Sequence, residues 1–266
     1  MKRFNLIMAL LTAGLIMSSC GSVALTGRKQ LLLVSDQEVY QAGLTQYNEY
    51  IASSQLSSDT KNTAIVKSVG QKLAAATEQY LKANGLESEL KNFAWEFNLV
   101  KDKQVNAFCM PGGKIVVYEG LLTVAQTEAE LAVVIGHEIA HAVAKHSNER
   151  MSQQIMAQYG AAILSQALSQ KSAAIQQTAS TVFGLGAQVG LMLPYSRKHE
   201  YEADYMGIVF MELAGYDSTS SIDFWTKMSA GSSGGSDFLS THPSDTKRIA
   251  ELQRRIPEAK QIAQSM

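Results

Sequence analysis

Apolar residues recur along this chain with two different periods, and the changes between them divide it. From Asp36 to about Ile51 they follow helical spacing behind Ser35 or Asp36, residue types that cap a helix N-terminus. Between Asp59 and Asn84, Ile65, Val66, Val69, Leu73 and Ala76 mark one face of a second helix that stops at Gly85. The texture then changes. FAWEFNLV (93–100), VNAFCM (105–110) and KIVVYE (114–119) are rich in aromatic and β-branched residues, which suit a pleated strand. Pro111, Gly112 and Gly113 separate the last two, and a hairpin is predicted there. Beyond about Thr123 helical spacing returns: a long helix over roughly 127–146, another from near Ser147, then helices near 196–214 and 218–229. The apolar run TVFGLGAQVGLML (181–193) is shorter than the ~20 residues of a bilayer span and contains Gln188, so it reads as a buried helix. A Gly/Ser loop (229–237) leads to a charged C-terminal helix. Helices, a small sheet and more helices predict one α+β, mostly helical domain over 36–266.

Composition adjusts this picture at the N-terminus. The 266 residues are 46% hydrophobic, enough for a single well-packed domain. A net charge of −1 offers no basic surface for nucleic acid. Lys2 and Arg3 precede an apolar run from Phe4 to Met17, the pattern of a secretory signal over 1–19. Ser18, Ser19 and Cys20 resemble the lipobox of bacterial lipoproteins, with Met17 where Leu is usual and Ser19 where Gly or Ala is usual. That resemblance implies an acylated Cys20 and a lipid anchor and tether over 20–35. Gly21, where Asp would favour the inner membrane, points to the outer one. Cys109 is then the remaining thiol, expected as a small buried apolar residue.

The chemistry is concentrated in VVIGHEIAHAVAKH (133–146). His137 and His141 stand four apart, so on a helix both imidazoles leave one face and can share a zinc ion, with Glu138 beside them. All five histidines lie at or after position 137. His146 is five beyond His141 and rotated off the ligand face, so it is expected to end the helix rather than bind metal. A catalytic zinc site needs a third protein ligand. Position 147 is serine, which directs attention to the acids of SRKHEYEAD (196–204). Glu200 and Asp204 share a helical face with Gly207, Ile208 and Met211, whereas Glu202 points nearly opposite, among Met206, Val209 and Leu213. Both faces carry apolar residues, so spacing alone leaves Glu200 and Glu202 open.

NAFCMPGGKIVVYEGLL, GHEIAHAVAKH, YSRKHEYEADYMG and STHPSDTKRI, in this order, resemble the zinc metallopeptidases of the CAAX prenyl protease type, most closely their soluble bacterial lipoprotein branch. The resemblance runs over roughly 25–255. It implies a zincin-like fold, one Zn2+ held by His137, His141 and Glu200, and Glu138 as general base. It also implies Asp204 as the partner of a ligand imidazole and His242 near the active site, stabilising an oxyanion or capping the metal. Asn106 and Ala107 would line an edge strand to which an extended peptide substrate adds. Arg197 and Arg248 are candidates for orienting carboxylates or substrate carbonyls. The expected function is a zinc metalloendopeptidase of the bacterial cell envelope, lipid-anchored and periplasm-facing, cleaving misfolded or unassembled envelope proteins. The competing expectation is an envelope chaperone or assembly factor with a latent zinc site. GSSGG (231–235), a letter match to the serine-hydrolase elbow through Ser233, lacks the strand before it and the helix after it that the elbow needs.

Overall fold

The computed structural model describes residues 20–159, 196–230 and 246–266, with Ile175, Gln177, Thr178, Thr181, Val182, Phe238 and His242 between them. The expected leader, most of the helix expected over 181–193, and the loop carrying Ser233 lie outside the described residues. Helix α1 (Asp36–Ser53) starts at Ser35, whose hydroxyl accepts from the Glu38 amide while the Glu38 carboxylate reaches back, a reciprocal cap. Helix α2 (Thr60–Ala83) starts at Asp59, whose carboxylate accepts from the Asn62 amide. A single turn, α3 (Glu87–Leu90), leads to the sheet.

Strands β3 (Glu96–Val100), β4 (Ala107–Met110) and β5 (Lys114–Tyr118) pair in the order β3-β5-β4; β5 is parallel to β3 and antiparallel to β4. The expected hairpin is present, and Gly112 and Gly113 turn it at φ of 88° and 81°, conformations that favour glycine. Both faces of the sheet are apolar. Phe97, Leu99, Ala107, Ile115 and Val117 face the main core, and Val100, Phe108, Met110, Val116 and Tyr118 face a second one under α1. Successive residues of a strand alternate sides, so burying both faces requires the near-continuous apolar runs that mark these strands in the sequence.

Helix α4 (Glu128–Val143) opens on a reciprocal cap between Thr127 and Glu130 and is almost wholly buried. It packs on β4, on α2 and on α6 (Arg197–Leu213). Helices α7 (Ser220–Ala230) and α8 (Thr246–Gln264) close the other side. Gly136 on α4 and Gly207 on α6 meet backbone to backbone. A Cβ on Gly207 would lie 3.0 Å from the His137 nitrogen, and one on Gly136 would lie 3.2 Å from the Gly207 carbonyl oxygen. Only a pair of residues without side chains lets two helices approach so closely, and the crossing brings Glu200 to the two histidines of α4.

The helix expected over roughly 127–146 ends at Val143, and the one expected from near Ser147 begins at His146. Lys145 adopts φ 56°, and α5 (His146–Tyr159) sets off in a new direction. The left-handed conformation disfavours a residue with a Cβ by about 1–2 kcal/mol. Here the Lys145 ammonium is anchored to Asp36 at 2.6 Å and Glu89 at 2.7 Å, which offsets that cost. Strands β1 (Cys20–Ser22) and β2 (Lys29–Leu31) form an antiparallel ribbon whose Val23 and Gln30 are buried against the domain. No helix among the described residues is long and apolar enough to cross a membrane.

Candidate metal centre

Four side chains from three parts of the chain converge inside the molecule. His137 and His141 project one turn apart from α4, Glu200 comes from the first turn of α6, and His242 comes from the segment before α8. All four are 1–2% exposed, and one ligand atom from each lies within 4.8 Å of the others. The two Nε2 atoms are 3.0 Å apart, and His242 Nδ1 is 3.2 Å from both His137 Nε2 and Glu200 Oε1. The Glu200 oxygens sit 3.4 Å from the nitrogens of His137 and His141. A tetrahedral ion with bonds of about 2.0–2.1 Å separates its ligand atoms by roughly 3.3 Å, which these spacings match. Glu200 Oε2 and Glu138 Oε1 are buried without a hydrogen bond among the described residues, the first 3.2 Å from Arg248 Nη1 and the second 3.4 Å from His242 Nε2. The donor set fits a divalent metal such as zinc.

The electrostatics point the same way. Burial pulls the His137 imidazole down, but Asp204 and Glu200 outweigh it and hold it at about 9. Burial likewise raises the Glu200 carboxyl, and His242, His137 and His141 overcome that and hold it well below the usual carboxylate range. Positive charge is thus favoured at His137, whereas burial, with His137 and His146 as neighbours, holds the His141 imidazole well below its ordinary range. Glu138 differs: burial pushes its carboxyl up, and the Cys109 backbone N–H holds it against β4. Its Oε1 lies 3.4 Å from His242 Nε2.

Behind His137, Nδ1 lies 2.9 Å from Asp204 Oδ1. Arg248 from α8 clamps Asp204 through Nε and through Nη2 at 2.7 Å, and places Nη1 3.2 Å from Glu200 Oε2. Its guanidinium stacks 3.6 Å from the centre of the Trp225 ring. The structure therefore brings together His137, His141, Glu138, Glu200, Asp204, His242 and Arg248. Arg197 is exposed at the start of α6. Asn106 and Ala107 are buried at the head of β4, an edge strand of its sheet, and it is Cys109 of that strand that touches Glu138.

Sequence reasoning missed the surroundings of His141. His146 Nδ1 lies 2.9 Å from His141 Nδ1, and its Nε2 lies 3.0 Å from Glu202. Arg28 of the N-terminal ribbon bonds Glu202 and Glu149, and His199 also reaches Glu149. The available signal was the crowding of charged residues in HSNER and RKHEYE beside apolar helices, without any indication of which would be buried.

The fold and donor set define a zincin-type metallopeptidase domain. The chain belongs to peptidase family M48, whose sequence model matches residues 61–256. Among curated relatives, the mitochondrial metalloendopeptidase OMA1 of Schizosaccharomyces pombe is 36% identical over 65% of this chain and 50% of its own length. The Arabidopsis thaliana protein of that name is 41% identical over 63% and 33%. A β-barrel assembly-enhancing protease of Yersinia pestis is 28% identical over 79% and 42%. The chain thus spans between a third and a half of the length of these relatives. The matches correct the expected location: the relatives at 36% and 41% identity are mitochondrial by name, so the placement at a bacterial outer membrane, lipid-anchored and periplasm-facing, does not stand. The signal behind that placement, a basic start and an apolar run, is shared by more than one targeting route.

Proposed function

We propose that this chain is a zinc-dependent endopeptidase that cleaves unassembled or misfolded proteins. The observation that carries the reading is the convergence of four buried donor atoms with Glu138 beside them. His137, His141 and Glu200 would hold the zinc, which when bound supplies the Lewis acid that polarises the scissile carbonyl. Glu138, its carboxyl raised by burial, takes the proton of the attacking water and returns it to the leaving amine. The His242 imidazole, 3.4 Å from Glu138 through Nε2, faces the same space and is placed to donate to the developing oxyanion. An extended substrate would add along β4, an edge strand of its sheet, near Asn106 and Ala107, through backbone hydrogen bonds that tolerate varied side chains. The Yersinia relative, a β-barrel assembly-enhancing protease by name, supports clients that are incompletely assembled.

One observation favours a second reading, an assembly factor whose site is mostly latent: His242 Nδ1 already stands among the metal-facing atoms, closing the position a substrate would need. Digestion of unfolded casein by the zinc-loaded protein separates the two. The endopeptidase reading predicts cleavage that Glu138→Gln slows by about 10²–10⁴-fold. Equal rates, or no cleavage by either protein, would overturn it.

A further inference from the structure

Two imidazoles from α4 face the candidate metal, and the structure accounts for the orientation of one of them directly, through Asp204. The outer nitrogen of the other, His141, meets a second imidazole. We infer that His146, Glu202 and the N-terminal ribbon residues Arg28 and Thr26 form a positioning chain that fixes the tautomer and ring orientation of His141. This rests on the reading that His141 binds the metal through Nε2.

The hydrogen-bond geometry allows one consistent set of protons. If Nε2 of His141 offers its lone pair to the metal, its ring proton is on Nδ1. That nitrogen lies 2.9 Å from His146 Nδ1, which must therefore accept. His146 then carries its own proton on Nε2, and there it finds Glu202 Oε2 at 3.0 Å. Glu202 also accepts from Arg28 Nε at 2.6 Å and from the Thr26 hydroxyl. Arg28 uses its two remaining nitrogens on Glu149, at 3.0 and 2.7 Å, so its guanidinium plane is fixed by two carboxylates. Glu149 in turn lies 3.1 Å from His199 Nε2, and the His199 ring stacks 4.4 Å from that of His146, holding the relay imidazole in plane.

Burial makes the arrangement unlike an incidental surface cluster. His146 is 0% exposed, and His199, Glu149 and Glu202 are 3%, 7% and 8% exposed. Buried acids of this kind are retained only when their acceptors are filled, and every link here fills one. The break at Lys145 is what permits it, because a continuous helix would carry His146 away from His141. Groups behind metal-ligating histidines set ligand basicity and orientation, and their removal typically weakens metal binding about 10–100-fold. The turn of the β1–β2 ribbon is thus a working part of the metal site, although it lies over a hundred residues away in sequence.

The test measures zinc release from the full chain to an excess of chelator, with the ring nitrogens of the histidines followed by NMR. His146→Phe should release zinc about 10–100-fold faster than wild type. His146→Asn, whose side-chain oxygen can accept the His141 proton, should restore most of the difference. Arg28→Lys and Thr26→Val, which loosen Glu202 without deleting the relay, should give smaller accelerations. Zinc-loaded wild type should show His141 protonated at Nδ1 and His146 at Nε2. The NMR assignment and His146→Asn keep the test decisive should His146→Phe fail to fold. Zinc bound normally but released at the same rate from wild type and a folded His146→Phe, or a His146 protonated at Nδ1, would overturn the chain alone. A wild type that binds no zinc would overturn both the chain and the site on which it rests.

Discussion

The two metal-facing histidines of α4 are supported in unlike ways. His137 leans on Asp204, a residue on the same helix as Glu200 and four positions beyond it, and Arg248 grips both acids from α8. His141 leans on His146, and the support passes outward through Glu202 to Arg28 in the ribbon. The first arm is short and wholly buried, with Arg248 at 1% exposure. The second is long and ends in a side chain that is 13% exposed. A buried charge left without its partner is far more costly than a partly wetted one, so the arms should fail by different amounts.

The largest loss should come from the short arm. Asp204→Ala leaves Arg248 buried and half-compensated, and denaturant unfolding should show about 3–5 kcal/mol less stability than wild type. Next comes the helix crossing that both arms share. Gly136→Ala puts a methyl 3.2 Å from the Gly207 carbonyl oxygen, which belongs to a backbone that cannot step aside, and about 1–3 kcal/mol should be lost together with zinc affinity. On the long arm, Arg28→Lys keeps the charge but not the fork that spans Glu149 and Glu202, so thermal unfolding should shift by the equivalent of only about 1 kcal/mol.

The smallest effect is one of pH. Burial raises the Glu149 carboxyl, but His199 and Arg28 outweigh it and hold it at about 2, below its ordinary 4.5. A depressed carboxyl stabilises the fold fully above its unfolded value, and that contribution fades as pH falls from about 4.5 through about 2. Glu149→Gln should therefore flatten the acid limb of the stability profile in that window and leave its slope near neutrality unchanged. An unaltered acid limb would mean that the long arm contributes nothing through Glu149.

The asymmetry also explains what could be read in the sequence. The short arm was legible because helical spacing places His137 with His141 and Glu200 with Asp204, each pair on one face. Choosing Glu200 over Glu202 needed the family frame, and the structure shows why: both acids are buried, Glu200 toward α4's metal face and Glu202 toward His146 and the ribbon. The long arm was not legible. It depends on a lysine at φ 56°, held by ion pairs to Asp36 and Glu89 that no local pattern announces. It depends equally on two three-residue strands, too short for any periodicity, in a stretch that reads as a tether. The sheet and helices were recovered to within a few residues because their apolar positions serve one packed core. The ribbon adds Val23 to that core, but its role beside His141 rests on the charged contacts of Arg28, and those are specified only once the fold exists.

Zinc content of purified Glu200→Ala and Glu202→Ala, compared with wild type by elemental analysis, tests the central claim most directly. Wild type should hold near-stoichiometric zinc, Glu200→Ala little, and Glu202→Ala should retain zinc but lose it more readily to chelator. Full zinc in a folded Glu200→Ala beside an empty Glu202→Ala would contradict it.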